Sequence, residues 1–208
     1  NDESGNGNDG TVNGAKFSID RNSENNKSAL FDGASQSIII KSSESIDSVH
    51  GRDRTFSFWM NPDHSNYSYM INRNANGNPQ WSYIHSLQGN DFINLSGDGI
   101  GNQISTIKVN PGEWKHVVVA NNSEKTSLYL DGKLEQEMGS LNWPKVNADL
   151  KIGHTLSGLH QYNGKIDDIR IYNRALSEAE VAALYELEKP EPAVVSISSG
   201  SGSFGSGA

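Results

Sequence analysis

From residue 28 to residue 174 the chain repeats one pattern, a short run rich in Val, Ile, Tyr, Phe and Trp followed by an interruption carrying Gly, Asn, Asp or Pro. Such punctuation leaves little room for long helices. The runs alternate apolar and polar residues, so each reads as a strand with one face to bury. They are "SALFDG" (28–33), "QSIIIKS" (36–42), "RTFSFWMNP" (54–62), "YSYMINR" (67–73), "QWSYIHSL" (80–87) and "DFINLSG" (91–97). After these come "NQISTIKV" (102–109), "EWKHVVVAN" (113–121), "TSLYLDGKLEQEM" (126–138), "ADLKIG" (148–153) and "GKIDDIRIYNR" (164–174). In 54–60, Phe56, Phe58 and Met60 share one face while Ser57 and Trp59 take the other; Leu128 and Leu130 likewise oppose Tyr129. Asp131-Gly132 supplies the positive φ of a type I′ hairpin turn. About ten one-sided strands require two sheets packed face to face, so the expected fold is all-β, a two-sheet antiparallel β-sandwich.

One helix interrupts the pattern. In "RALSEAEVAALYE", Ser177 and Glu180 have capping-box spacing, Leu176 and Val181 that of a hydrophobic staple, and Val181, Leu184 and Tyr185 form an apolar stripe. This helix is expected across one end of the sandwich. From Lys189 the sequence turns to Pro, then Gly and Ser, which cannot bury enough to fold alone. The organisation read from sequence is a domain over 1–188 and a linker, or the start of a following domain, over 189–208.

Composition excludes several functions. A net charge of −8 with scattered Lys and Arg is wrong for nucleic acid. The absence of Cys excludes disulfides and thiolate metal sites. No apolar run reaches membrane-spanning length. A first residue other than Met fits an excised or mature segment of a longer protein.

The segment "GKIDDIRIYNRALSEAEVAALY" (164–185) closely resembles the C-terminal signature of laminin-G-like jelly-roll domains of the concanavalin A-like lectin/glucanase superfamily. Other segments agree in order: "DESGNGNDGTVNGA" (2–15), "ALFDGASQSIII" (29–40), "RTFSFWMNP", and "GEWKHVVVANNSEKTSLYLDGKLE" (112–135). The resemblance covers 2–187 and implies a concanavalin A-like jelly roll. It also implies a strand just ahead of Asp2, where this sequence begins.

Asp2, Ser4 and Asn6, followed by Gly7, repeat the first half of a calcium loop, with oxygen-bearing residues at alternate positions and then a Gly. The second half fails, because the twelfth position is Asn13 and no helices flank the loop. The missing carboxylates could come from Asp167-Asp168. Adjacent strand residues face opposite sides, so one of the two is expected inward, where it needs a cation, an Arg or backbone donors. Laminin-G-like jelly rolls often use acids of such segments for one structural calcium. The resemblance therefore implies Ca2+ held by Asp2 and Asp168, then Asn6 and Asp167, with Ser4 and Asn8 lending backbone oxygens. Two other readings stay open: the Gly/Asn cluster as a plain turn, and Arg170 satisfying an inward Asp without metal.

The superfamily includes glycosidases, whose retaining members set two carboxyl groups about 5 Å apart. No Glu-x-Asp-x-x-Glu motif occurs. "ESID" (44–47) lacks a third acid, and "EQE" (135–137) reads as a solvated edge. His154 and His160 have no metal-pair spacing, and no Gly-x-Ser-x-Gly elbow is present. Sugar recognition combines aromatic platforms with planar polar groups. Aromatic candidates are Trp59, Tyr67, Tyr69, Trp81 and Tyr83, with Arg73 and the amides of 72–81 beside them, and His154, His160, Gln161 and Tyr162 in a second loop. Of these, Trp81, Tyr83, Arg73, His160 and Tyr162 form the expected ligand set, while Trp59 and Trp114 read as structural.

The sequence thus points to a non-catalytic, calcium-stabilised module binding carbohydrate or a cell-surface glycan within a larger secreted or cell-surface bacterial protein. A spacer or protein-binding adhesion domain without a sugar site is the alternative, and a diverged glycosidase a third.

Overall fold

The computed structural model describes residues 1–47, 53–63, 68–73, 82–87, 90–97, 101–141, 148–154 and 160–191. At 82–83, 85–87, 90–92, 96–97, 101–104 and 106 it describes the backbone alone.

Two seven-stranded sheets face each other, and every strand pairing within them is antiparallel. Sheet A runs β1 (Gly10–Asn13), β4 (Ser37–Ile40), β13 (Leu150–Ile152), β6 (Ser68–Arg73), β7 (Ser82–Leu87), β8 (Asn90–Gly97) and β9 (Gly101–Lys108). Sheet B runs β12 (Lys133–Gly139), β11 (Lys125–Leu130), β10 (Lys115–Asn121), β5 (Arg54–Pro62), β14 (Asn163–Tyr172), β3 (Ser28–Asp32) and β2 (Lys16–Ser18). Two helices, α1 (Glu44–Asp47) and α2 (Glu178–Glu188), lie outside the sheets.

Alternation does the sorting that the sequence implies. Phe56, Phe58, Met60, Val117, Val119 and Leu128 of sheet B meet Ile71, Ile84, Leu95, Leu150 and Ile152 of sheet A in one buried core. Burying each such side chain contributes about 1.5–3 kcal/mol, which makes this core the main favourable term. The opposite parity of β10 and β11, Val118, Ala120 and Tyr129, forms a second cluster with Leu176 and Val181. Helix α2 therefore lies on the outer face of sheet B and not across the sandwich end. The reason is apolar surface: the end offers loops, whereas this face offers Val118, Ala120 and Tyr129.

The local signals act as expected. Ser177 caps α2 with a complete capping box, and Asp131 (φ 49°) and Gly132 (φ 76°) make the hairpin turn between β11 and β12. Three short elements carry no legible sequence signal. Strands β1 and β2 are four and three residues long, with mostly exposed side chains, and α1 is a single turn. None is long enough to display a period.

Candidate functional site

The two outer faces of the sandwich differ sharply. On sheet B, the rings of Trp59, His116 and Tyr185 stack, with centroids 5.1–6.0 Å apart. Glu188, at the end of α2, accepts from Trp59 Nε1 at 2.9 Å and from Arg170 Nε at 2.6 Å. This face is occupied by the chain's own helix.

Next to that stack, Asp167 and Asp168 are brought together by a β-bulge. Asp167 pairs with Trp59 and Arg170 with Ser57, so β14 carries one extra residue, and Asp168 takes φ 43°. The bulge cancels the strand alternation. Both carboxylates then reach Arg21, at 3.0 Å (Asp167) and 2.6 Å (Asp168). Arg21 also donates from Nε to the Glu188 carbonyl at 2.7 Å and lies 4.5 Å over the Trp59 ring. Its side chain is 4% exposed. The cation demanded by two adjacent acids is thus a guanidinium, supplied by Arg21 and not by Arg170, which serves Glu188. The acids sit on the outer face of sheet B, so neither points into the sandwich core. Burial and the Asp168 charge together push Asp167 up to about 6, against the opposing pull of Arg21.

Asp2 and Asn6 belong to a different neighbourhood. Asp2 accepts from the Asn8 and Ser4 amides, at 2.9 Å each, and from Ser4 Oγ. These bonds, the Asn8 amide foremost, hold its carboxyl down at about 2. Asn6 Nδ2 donates to Ser4 Oγ. Asn8 fastens the loop to α1 by donating to Ser45 Oγ and accepting from Ser43 Oγ. The four residues expected around one calcium therefore divide between two places, each with its own partners. Among the described residues, no three His, Asp or Glu side chains converge closely enough to hold a metal ion.

Among the described residues, the outer face of sheet A carries Lys151, Asn72, Asn94 and Tyr69, with Ile39 beside them. Leu150 and Ile152 enter the core, so Lys151 between them points outward. Lys151 pairs with Ile39 on one side and Asn72 on the other. Asn72 is 1% exposed, yet neither Oδ1 nor Nδ2 has a hydrogen-bond partner. An orphaned buried amide costs about 1–3 kcal/mol. On the same face lies Tyr69, buried, with the exposed ring of His160 6.4 Å away. The His160 carbonyl accepts from the Tyr69 amide at 3.0 Å, and His160 holds φ 58°. Buried Asn94 follows two strands further on, in register with Tyr69 through β7.

Of the described members of the expected ligand set, His160 alone lies on this face. Arg73 points the other way, 2% exposed, donating to the Ile46 and Ala148 carbonyls and pairing with Asp47. It closes an end of the core, because Leu150, its partner in register, is a core residue. Tyr162 is also interior: its ring packs edge-on against Phe31, its hydroxyl donates to the Lys165 carbonyl, and burial raises its pKa well above the ordinary value. Both side chains point away from the outer face of sheet A. Trp81 and Tyr67 lie outside the described residues, as does the side chain of Tyr83. Asn72 enters the sequence candidates only among the amides of 72–81 and Lys151 not at all, although polar residues at outward positions of central strands are the available signal.

The two acidic segments weighed for catalysis are engaged elsewhere. Asp47 serves Arg73, and Glu137 serves Lys125 and Ser127. Ser57 Oγ and His116 Nε2 stand 2.8 Å apart, which invites a nucleophile–base reading. Both residues are fully buried, and His116 Nδ1 has no partner acid. Burial lowers the imidazole to about 4. The pair is structural.

Comparison with known families decides the lineage. The model of a laminin G domain described as "Concanavalin A-like lectin/glucanases superfamily" matches residues 32–182. The chain belongs to this superfamily. Within the superfamily fold, the fourth domain of AbnA, a GH43 extracellular arabinanase from Geobacillus stearothermophilus solved with arabinotriose, is similar at TM-score 0.61 and 19% identity. That match covers 85% of this chain and 87% of that one. The binding domain of Paraclostridial Mosquitocidal Protein 1 is similar at TM-score 0.66 and 22% identity, over 88% of this chain and 48% of that one. The botulinum neurotoxin DC binding domain, solved with SialylT, gives TM-score 0.62 and 16% identity over 87% and 47%. Among curated proteins, a BEACH domain-containing protein of Dictyostelium discoideum, lvsE, is 32% identical over 93 residues, 41% of this chain. Human usherin is 21% identical over 142 residues, 63% of this chain. The matched parts span only 4% and 3% of those two proteins.

Proposed function

We propose that this superfamily domain is a non-catalytic carbohydrate-binding module of a larger extracellular or cell-surface protein, and that its ligand lies on the outer face of sheet A. The observation that carries the reading is Asn72. Its amide is buried and unpartnered on the one sheet face that α2 does not occupy. Sugar hydroxyls are the matching chemistry, since each both donates and accepts, as a side-chain amide does. The exposed ring of His160, 6.4 Å from that of buried Tyr69 on the same face, supplies a surface against which the C–H face of a pyranose can stack. Two solved domains of similar fold carry a saccharide or a SialylT ligand in their complexes, which supports the ligand class. The extracellular arabinanase supports an extracellular setting. No helix of the described residues is long and apolar enough to cross a membrane.

A glycan array probed with the purified domain tests this reading. Binding to a defined set of glycans, lost in Asn72→Ala without loss of fold, is the expected result. Silence across the array would favour a spacer or protein-binding role.

A further inference from the structure

The unsatisfied chemistry of sheet A is not confined to Asn72. Lys151 is its direct cross-strand partner, which brings the two Cβ atoms to about 4.5–5.5 Å. The nearest acid to Lys151 in sequence, Asp149, is already engaged: its Oδ2 accepts from Lys41 Nζ at 2.8 Å and its Oδ1 from the Ser42 amide at 3.0 Å. Among the described residues Lys151 has no ion-pair partner. Nor can its stem turn inward, because Leu150 and Ile152 on either side are anchored in the core. Partial burial strips some of its hydration and lowers its pKa, with Lys41 adding to the shift and Asp149 opposing it. A neutral sugar would satisfy the Asn72 amide and leave this ammonium as it is.

We propose that the face selects a carboxylated sugar, with the carboxylate seated on Lys151 and neighbouring hydroxyls on Asn72. This deepens the carbohydrate reading and rests on it. A charge-assisted hydrogen bond is roughly twice as strong as a neutral one, and more so where water is partly excluded. The chain's net charge of −8 works against an anion at long range, but physiological salt screens charges beyond about 8 Å, so the local cation decides. Uronates and sialates share the required chemistry, a ring-borne carboxylate beside hydroxyls.

The test is calorimetric titration with oligogalacturonate and its methyl ester, and with 3′-sialyllactose and lactose, on wild type, Lys151→Met and Lys151→Arg. At least one acidic sugar is expected to bind tenfold or more tighter than its uncharged counterpart. Lys151→Met should bring the pair level, and Lys151→Arg should keep the preference, with melting temperatures unchanged in both variants. The responding pair tells uronate from sialate. Equal affinity for acidic and neutral forms, or a Lys151→Met variant that keeps the preference, would overturn acid selection while leaving a sugar site intact. Failure to bind any of these sugars, together with a silent glycan array, would overturn the carbohydrate reading itself.

Discussion

Asn72 and Lys151 stand directly opposite each other in neighbouring strands of sheet A, and among the described residues neither side-chain head has a hydrogen-bond or ion-pair partner. An orphaned buried amide such as that of Asn72 detracts from folding unless something outside the chain completes it. That conflict between stability and chemistry separates a binding face from mere surface.

The conflict predicts opposite effects on fold and function at one residue. Asn72→Leu replaces an orphan amide by an apolar group of similar volume. It should raise unfolding free energy by about 1 kcal/mol. Glycan binding should disappear in the same variant. Urea unfolding beside the array reads both; a variant that is less stable and still binds would remove Asn72 from the site.

Arg21 should be indispensable to the fold. Replacing it by Met leaves Asp167 and Asp168 facing each other without a cation, and a broken buried pair costs about 3–5 kcal/mol. Adding Asp168→Asn to Arg21→Met should restore part of that loss, since the two residues act as one unit. Because the guanidinium already fills the place of a cation there, calcium should add no stability through this pair: the difference in melting temperature between calcium and excess chelator should be the same in wild type and Asp168→Asn. A difference that shrinks in Asp168→Asn would show that the pair binds calcium despite Arg21.

His116 sets one component of the pH dependence. Its folded pKa, about 4, lies below the unfolded value near 6.5. Between these values the unfolded chain binds the proton and the folded chain does not, so stability is fully present above pH 6.5 and falls as pH drops toward 4. The loss through this group is about 3 kcal/mol. Asp167, whose folded pKa is raised, acts in the opposite sense over an overlapping range: ionising it in the folded state is costly, so acid relieves that cost. His116→Gln should therefore lose less stability than wild type between pH 6.5 and 4.5. Equal losses would mean that His116 is not held neutral.

Gly132 links the hairpin turn to α2. Its φ of 76° disfavours any side chain, and a Cβ there would meet Tyr185 Cβ at 2.8 Å. Gly132→Ala should destabilise by more than about 1 kcal/mol and loosen the Trp59–His116–Tyr185 stack, read by near-ultraviolet circular dichroism.

The sequence carried the fold because its signals are local. Phe56, Phe58 and Met60 alternate with Ser57 and Trp59, and Ser177 stands three residues before Glu180; both patterns mean the same thing wherever they occur. The sites were less legible because they are made by distance. Arg21 meets Asp167 across 146 residues from within a turn of no distinctive pattern. The bulge that puts Asp167 and Asp168 on one side reverses what alternation alone predicts. Arg73 and Asn72 are neighbours in "MINR", and only strand parity sends the first into the core and the second outward. Tyr162 resembles a loop aromatic in sequence, yet packs against Phe31.

The most direct test of the account is a heteronuclear NMR titration of the domain with the tightest sugar from the array. Shift perturbations centred on Tyr69, Asn72, Lys151 and His160, with α2 and β10 silent, are the predicted result. Perturbations centred on α2, or on the Asp2–Asp9 loop, would place the ligand elsewhere and contradict it.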